Sequence, residues 1–133
     1  MESYTIDAVG FLAFITDKLS PDANKIFQKA ELDEISLILP SIALGEIIYT
    51  ILKKKEIFGK VIRFEKINSI LETIRDSESI SLVDMNLECW KNFLEISIPE
   101  LHDRMIVASH ITYKSNAIIT NNPEIASVVS TIW

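Results

Sequence analysis

Short apolar segments alternate with longer helix-like segments along the whole of this 133-residue chain. The clearest of the short segments is the continuous apolar run from 35 to 39, which ends at Pro40. An apolar run without alternation is typical of a strand buried on both faces, as in a parallel sheet. Alternating strands and helices imply crossover connections, so we expect an α/β protein with three layers, α/β/α, around a parallel and mostly five-stranded sheet.

The strands and helices can be assigned from local patterns. Five strands are predicted, at 4–7, 35–39, 79–83, 117–120 and 128–133. Helices are predicted at 9–18, 21–31, 41–55 and 99–114, with an amphipathic helix that carries Val61, Phe64, Ile67, Leu71 and Ile74 on its apolar face. Ser20 and Ser41 are expected to cap helices, and Asp84 to cap a helix that turns Leu87, Trp90 and Leu94 inward.

Composition narrows the class of protein. Three glycines and four prolines provide no linker, so we expect one domain over 1–133. A single cysteine, Cys89, excludes an intrachain disulfide and a thiolate metal site, and favours a reducing, cytoplasmic location. The weakly charged stretch 35–52 is interrupted by Pro40 and contains Glu46, which argues against a membrane span.

The net charge of −6 disfavours a protein that binds nucleic acid over a broad surface. A nucleic-acid role would need a local basic strip and a cation to neutralise an acidic centre. The candidates for such a strip are Lys53, Lys54, Lys55, Lys60 and Arg63. These residues also suit a solvated helix C-terminus, which is the more common role of such lysines.

Two carboxylates stand alone in apolar surroundings. Asp7 is the only charged residue between Glu2 and Asp17, and Glu46 is the only one between Glu34 and Lys53. Both are expected at the carboxyl-terminal edge of the sheet, where α/β proteins bind their ligands. A helix cap or a solvent-exposed position would explain either residue alone, whereas the two together favour a binding site.

Two further motifs are predicted at the same edge. Asp103 lies in the first turns of a helix, with Glu100 three residues before it. Thr120, Asn121 and Asn122 follow the fourth predicted strand. An acid at a helix N-terminus and a polar turn before a proline are both common without any function.

The ordered set of these motifs resembles the PIN domain. The set comprises Asp7 after a first strand, Pro-Ser-x-x-x-x-Glu at 40–46, His-Asp-Arg at 102–104 and Ile-Thr-Asn-Asn at 119–122. The resemblance covers nearly the whole chain and is strongest to the small VapC-like toxins of toxin–antitoxin pairs. It implies a Mg²⁺- or Mn²⁺-dependent endoribonuclease, with an antitoxin partner and a homodimeric state.

The resemblance also implies roles for individual residues. Asp7, Glu46 and Asp103 match the first three acids of the family and would be metal ligands and catalytic residues. The fourth acid is replaced by Asn122, which would offer a carbonyl oxygen to the metal and removes one negative charge. Thr120, Asn121 and Glu100 would make secondary contacts, and Glu100 could restore the missing charge.

Other functions remain open from the sequence. One is an RNA-processing PIN nuclease without an antitoxin, and another is a non-catalytic PIN domain that binds RNA or protein, as Asn122 would allow. A phosphoacceptor receiver domain has the same fold class and acids at its strand ends. It requires a second acid beside Asp7 and a lysine at the end of the last strand, and the chain has neither.

Overall fold

The computed structural model describes all residues from 1 to 133. Its strands are β1 (Ser3–Ile6), β2 (Ser36–Pro40), β3 (Glu56–Ile57), β4 (Lys60–Val61), β5 (Ile80–Val83), β6 (Ala117–Ile119) and β7 (Thr131–Ile132). Its helices are α1 (Ala8–Ile15), α2 (Pro21–Glu31), α3 (Ser41–Leu52), α4 (Lys66–Asp76), α5 (Leu87–Leu94), α6 (Leu101–Thr112) and α7 (Pro123–Ala126). None of the helices is long and apolar enough to cross a bilayer.

The main sheet has five strands in the order β5-β2-β1-β6-β7, and every neighbouring pair is parallel. With flanking helices it forms the predicted three-layer α/β/α fold. The chain runs outward from β1 through β2 to β5, and then returns to the other side of β1 as β6. Ligands of open α/β sheets bind where the order reverses in this way, at the carboxyl ends of β1 and β6.

The same strand order rules out the receiver domain. Numbered along the chain, the sheet order is 3-2-1-4-5, whereas receiver domains have the order 2-1-3-4-5. The receiver hypothesis is therefore wrong on topology, in addition to lacking the required acid and lysine.

The core lies on both faces of the central strands. Leu37 and Leu39 on β2 and Ile118 and Ile119 on β6 are almost inaccessible to solvent, as expected for a sheet covered on each side. They belong to one cluster of 23 buried hydrophobic residues. The continuous apolar runs of the sequence thus correspond to the buried strands that they predicted.

Four helices end in the same way, with a non-glycine residue in the left-handed conformation. Asp17, Asp33, Lys54 and Lys114 follow α1, α2, α3 and α6, with φ between 52° and 58°. After α3, the amide of Lys54 donates to the Ile51 carbonyl and the amide of Lys55 donates to the Thr50 carbonyl. This pair of bonds is a Schellman motif, which satisfies the last carbonyls of the helix and reverses the chain.

The region between α3 and α4 differs from the prediction. Val61 and Phe64 do not belong to the amphipathic helix, because α4 begins only at Lys66. Val61 lies in β4, which pairs with β3 in a short antiparallel hairpin, and Phe64 is exposed. The two turn residues, Phe58 and Gly59, both have positive φ. Phenylalanine rarely adopts this conformation, so the turn carried no recognisable sequence signal.

Two predicted helix caps and one predicted apolar face are also wrong. Ser41 is the first residue of α3 and Pro40 precedes it without a side-chain bond, whereas α5 is capped by Asn86 rather than Asp84. Leu87 and Leu94 of α5 are 81% and 74% exposed, and the helix buries Cys89 instead. The periodic leucines form a second apolar face on α5 that points to solvent.

Candidate active site

The first candidate residue, Asp7, begins α1 directly after the central strand β1. Its Oδ1 accepts a hydrogen bond from the Gly10 amide at 2.7 Å, which makes it the N-cap of the helix. Its Oδ2 accepts a hydrogen bond from the Thr120 hydroxyl at the end of β6. Asp7 therefore joins the carboxyl ends of the two strands at which the sheet order reverses.

Asp7 is only 7% exposed. Burial raises the pKa of its carboxyl from 3.8 to about 6, although the hydrogen bonds from Thr120 and Gly10 act in the opposite direction. The negative charge of Asp103 adds to the increase in pKa. A charge placed here is unfavourable unless something else compensates for it, as is common at functional sites.

Gly10 is a residue that sequence reasoning missed. A Cβ at this position would lie 2.7 Å from the Ile119 carbonyl oxygen and 3.3 Å from Asp7 Oδ1. Only glycine lets α1 pack this closely against the end of β6 and keep its amide on the Asp7 carboxylate. No sequence signal identified it, because its role depends on its distance to the Ile119 carbonyl oxygen.

Asp103 lies in the first turn of α6. The helix is capped by Glu100, whose Oε2 accepts a hydrogen bond from the Asp103 amide at 2.7 Å. The Asp103 carboxylate accepts a hydrogen bond from Asn122 Nδ2 at 2.9 Å. Burial and the nearby charges of Glu100 and Glu124 raise the pKa of the Asp103 carboxyl, against the effect of the Asn122 bond.

Asn122 has both ends of its side-chain amide engaged. Its nitrogen donates to Asp103, and its Oδ1 accepts a hydrogen bond from the Glu124 amide at 2.9 Å as the N-cap of α7. These partners fix the orientation of the amide, because reversing it would place two donors against each other at Glu124. In this arrangement Asn122 presents a donor to Asp103, where an acid would present a second carboxylate.

Glu46 lies in the second turn of α3 and is half-buried. Burial is the main reason that the pKa of its carboxyl is raised, with the charges of Glu100, Asp103 and Asp7 adding to it. His102 lowers it again, and His102 Nδ1 lies 3.7 Å from Glu46 Oε2 and 3.6 Å from Glu100 Oε1. His102 thus connects Glu46 to Glu100 across the gap between α3 and α6.

A cleft of about 260 Å³ brings most of the predicted residues together. Its polar lining consists of Asp7, Glu46, Asp103, Asn121 and Asn122. Thr120 is buried behind Asp7, and Glu100 lies beyond His102, so neither lines the cleft. As the side chains lie, no three of the His, Cys, Asp and Glu residues are close enough to hold a metal ion.

The predicted basic residues are less closely grouped than the predicted acidic residues. Lys53 and Lys55 lie with their Nζ atoms 5.3 Å and 5.9 Å from the centre of the Tyr49 ring, beyond the C-terminal end of α3. Lys60 lies on the exposed hairpin, and Arg63 is 3.7 Å from Glu65 on the surface. None of the five predicted basic residues, Lys54 included, lines the acidic cleft.

Comparison with known proteins gives a likeness in structure alone. No family model and no curated protein matches the chain. A chain of the VapBC2 complex of Rickettsia felis, solved with a promoter DNA fragment, superposes with a TM-score of 0.72 at 17% identity over 98% of each chain. The chain therefore has the VapC fold.

Two other solved structures agree. DNA-bound VapBC from Salmonella typhimurium gives a TM-score of 0.70 at 15% identity, covering 99% of this chain and 98% of that one. VapC20 of Mycobacterium tuberculosis, described as a toxin that cleaves the sarcin-ricin loop, gives a TM-score of 0.65 at 10% identity over 93% of each chain. The PIN-domain, VapC-like resemblance predicted from the sequence is therefore confirmed as a likeness of fold.

Proposed function

We propose that this protein is a metal-dependent endoribonuclease, and the toxin of a toxin–antitoxin pair. The observation that carries the proposal is the convergence of Asp7, Glu46 and Asp103 on one cleft, at the point where the strand order of the sheet reverses. The VapC fold supports it, because a toxin that cleaves the sarcin-ricin loop has the same fold.

The donor set suits a divalent cation. Carboxylate oxygens are the ligands that Mg²⁺ and Mn²⁺ prefer, and the raised pKa values of all three acids indicate that their charges are poorly compensated in the protein alone. Asp7, Glu46 and Asp103 would hold the ion. Its binding would have to draw the side chains closer together than they lie now.

When bound, the ion would lower the pKa of a water molecule and stabilise negative charge on the phosphate. The chain positions its own groups for the remaining tasks. Asp7 is fixed by Gly10 and Thr120, and Asp103 is oriented by Asn122. Glu46 is more exposed than Asp7, and in addition to holding the ion it would orient the attacking water.

An RNA-cleavage assay tests the nuclease. We expect the wild type to cut single-stranded RNA with Mn²⁺ or Mg²⁺ and not with EDTA, and Asp103→Asn to reduce the rate by roughly a hundredfold or more. Glu72→Gln, which removes an exposed acid on α4, is the matched control and should retain the activity. Cleavage that survives both EDTA and Asp103→Asn would contradict the proposal.

Growth experiments test the toxin role. Expression of the wild type should arrest growth, Asp7→Asn should relieve the arrest, and co-expression of a short antitoxin encoded by a neighbouring gene should do the same. A nuclease that cuts RNA in vitro yet leaves growth unaffected at high expression would favour an RNA-processing role.

A second function, binding without cleavage, is favoured by Asn122. Its amide donates to Asp103, so one charge that the family uses is absent and one Asp103 oxygen is occupied. Asn122→Asp restores the acid, and its comparison with the wild type distinguishes the two functions. In a nuclease weakened by Asn122 the wild type should already cut RNA and the variant should cut it faster, whereas in a cleft that only binds RNA the wild type should bind RNA without cutting it.

A further inference from the structure

A second groove, of about 450 Å³, opens beside the acidic cleft and shares Glu46 with it. From Glu46 and His102 it runs along α3 to Tyr49 and Lys55. The proposed function makes no use of this groove. A nucleic-acid strand that has a phosphate in the acidic cleft and leaves the cleft on the Glu46 side would lie in this groove.

The far end of the groove is lined by an exposed aromatic ring, Tyr49, and by one lysine, Lys55, and a second lysine, Lys53, lies over the same ring. Tyr49 is 55% exposed, although most of the residues of α3 are apolar. Lys53 and Lys55 lie over its ring, and the Schellman motif at the end of α3 returns Lys55 to this position. An aromatic ring on which a base can stack, with lysines for the adjoining phosphates, is the usual construction of a site for single-stranded nucleic acid.

The wall of the groove contains an unexpected glycine. Gly45 lies in the interior of α3, next to Glu46, where glycine weakens a helix relative to alanine. Packing does not require it, because a Cβ built there has no atom within 4 Å. A glycine that costs stability without a steric cause is consistent with the close approach of a ligand along this face.

We propose that this groove binds the nucleotide next to the scissile phosphate of a single-stranded RNA, with its base on Tyr49 and its phosphate on Lys53 and Lys55. The inference rests on the proposed nuclease and adds the position of its substrate. Both lysines belong to a chain of net charge −6, so they form a local cationic site beside an acidic one. Lys53 and Lys55 leave the ring face when they pair with phosphate.

Binding rather than cleavage tests the groove. The probe is an unstructured RNA of about eight nucleotides with a fluorescent label at one end. Its binding to the protein is measured by fluorescence anisotropy in the presence of EDTA at low salt. Tyr49→Leu keeps a good helix former and should weaken binding at least about fivefold, whereas Tyr49→Trp should preserve it. Lys55→Gln should weaken binding and reduce the salt dependence, and Lys25→Gln on the exposed face of α2 should change neither.

Gly45→Gln separates the groove from the stability of the fold. Glutamine is a better helix former than glycine, so the variant should melt at a higher temperature. Its side chain enters the groove without changing the charge, so RNA binding should fall. Weaker binding by a more stable protein cannot result from misfolding.

Three results would overturn the inference: no binding of the RNA by the wild type, unchanged binding by both Tyr49→Leu and Gly45→Gln, or a preference of the groove for a poly-glutamate peptide over the RNA. Failure of the nuclease gives a different pattern, in which the RNA binds through Tyr49 but is not cut with Mn²⁺. Cleavage that depends on Asp103 but is indifferent to Tyr49 would leave the nuclease standing without this groove.

Discussion

Asp7 is the residue at which the proposed function and the stability of the fold conflict most directly. Its carboxylate is buried, and the elevation of its pKa from 3.8 to about 6 means that ionisation destabilises the folded state by up to about 3 kcal/mol. Since the pKa is higher in the folded than in the unfolded chain, the penalty develops as the pH rises from 3.8 to about 6 and is complete above that range.

The first prediction follows for Asp7→Asn. Asparagine caps helices as well as aspartate does and carries no charge. In metal-free buffer at pH 7 the variant should therefore be more stable than the wild type, with a free energy of unfolding about 1–3 kcal/mol higher in urea denaturation. The difference should shrink as the pH falls towards 4. Equal stability at pH 7 would mean that the Asp7 charge is already compensated.

The second prediction contrasts two glycines. Gly10→Ala forces a Cβ to within 2.7 Å of the Ile119 carbonyl and should cost about 1–3 kcal/mol of stability. In Gly45→Ala the new Cβ meets open space, so the variant should gain about 1 kcal/mol in its free energy of unfolding. Thermal melting of both variants checks the pair. Stabilisation by Gly10→Ala would contradict the close packing of α1 on β6.

At the scale of elements, α6 is tied to β1 through a series of polar side chains. His110 Nδ1 lies 2.6 Å from Ser115 Oγ, which lies 2.7 Å from Thr5 Oγ1 on β1. Burial lowers the pKa of the His110 imidazole, and burial is the only cause of this shift. The folded state therefore binds fewer protons at His110 than the unfolded state does.

The third prediction concerns the pH dependence of this connection. Because the His110 pKa is lowered, its contribution to stability is present above the ordinary value of 6.5 and is lost as the pH falls from there through the lower pKa of the folded state. The buried carboxylates have the opposite dependence, so the test compares the wild type with His110→Gln. We expect the wild type to lose more stability than the variant between pH 7 and 5. If the free energies of unfolding of the two proteins changed with pH in parallel, the result would contradict a neutral, buried His110.

The fourth prediction concerns the exposed face of α5. Leu87, Trp90 and Leu94 form an apolar surface on this helix, and Leu101 at the start of α6 is also exposed. A surface of this kind is typical of a protein interface, and we expect it to mediate the predicted homodimer. Leu94→Lys should shift the protein to monomer in sedimentation experiments, whereas Leu32→Lys, equally exposed after α2, should not. A wild type that remains monomeric would contradict the prediction.

For the whole molecule, the sequence was most informative where burial dominates. The apolar runs at β2 and β6 predicted the parallel sheet, because strands buried on both faces tolerate few polar residues. The same sheet determines the positions of Asp7 and Thr120, since both follow strands that end at the same edge. The order of strands then explains why residues 113 positions apart in sequence share a hydrogen bond.

Features that depend on close contacts were not predictable. The importance of Gly10 is visible only from its distance to Ile119, and the role of Tyr49 only from the groove that it lines. The β3–β4 hairpin was missed because Phe58 occupies a conformation that favours glycine. The wrong face of α5 was chosen because two apolar stripes share that helix and only one of them is buried.

A calorimetric titration of Mn²⁺ into the metal-free protein tests the central claim most directly, and is the fifth prediction. The wild type should bind Mn²⁺, and Glu46→Gln should bind it much more weakly, because Glu46 is expected to close the site formed with Asp7 and Asp103. Glu72→Gln provides the control for the loss of one acid. Equal binding by wild type and Glu46→Gln, or no binding by a folded wild type, would contradict a carboxylate metal centre in this cleft.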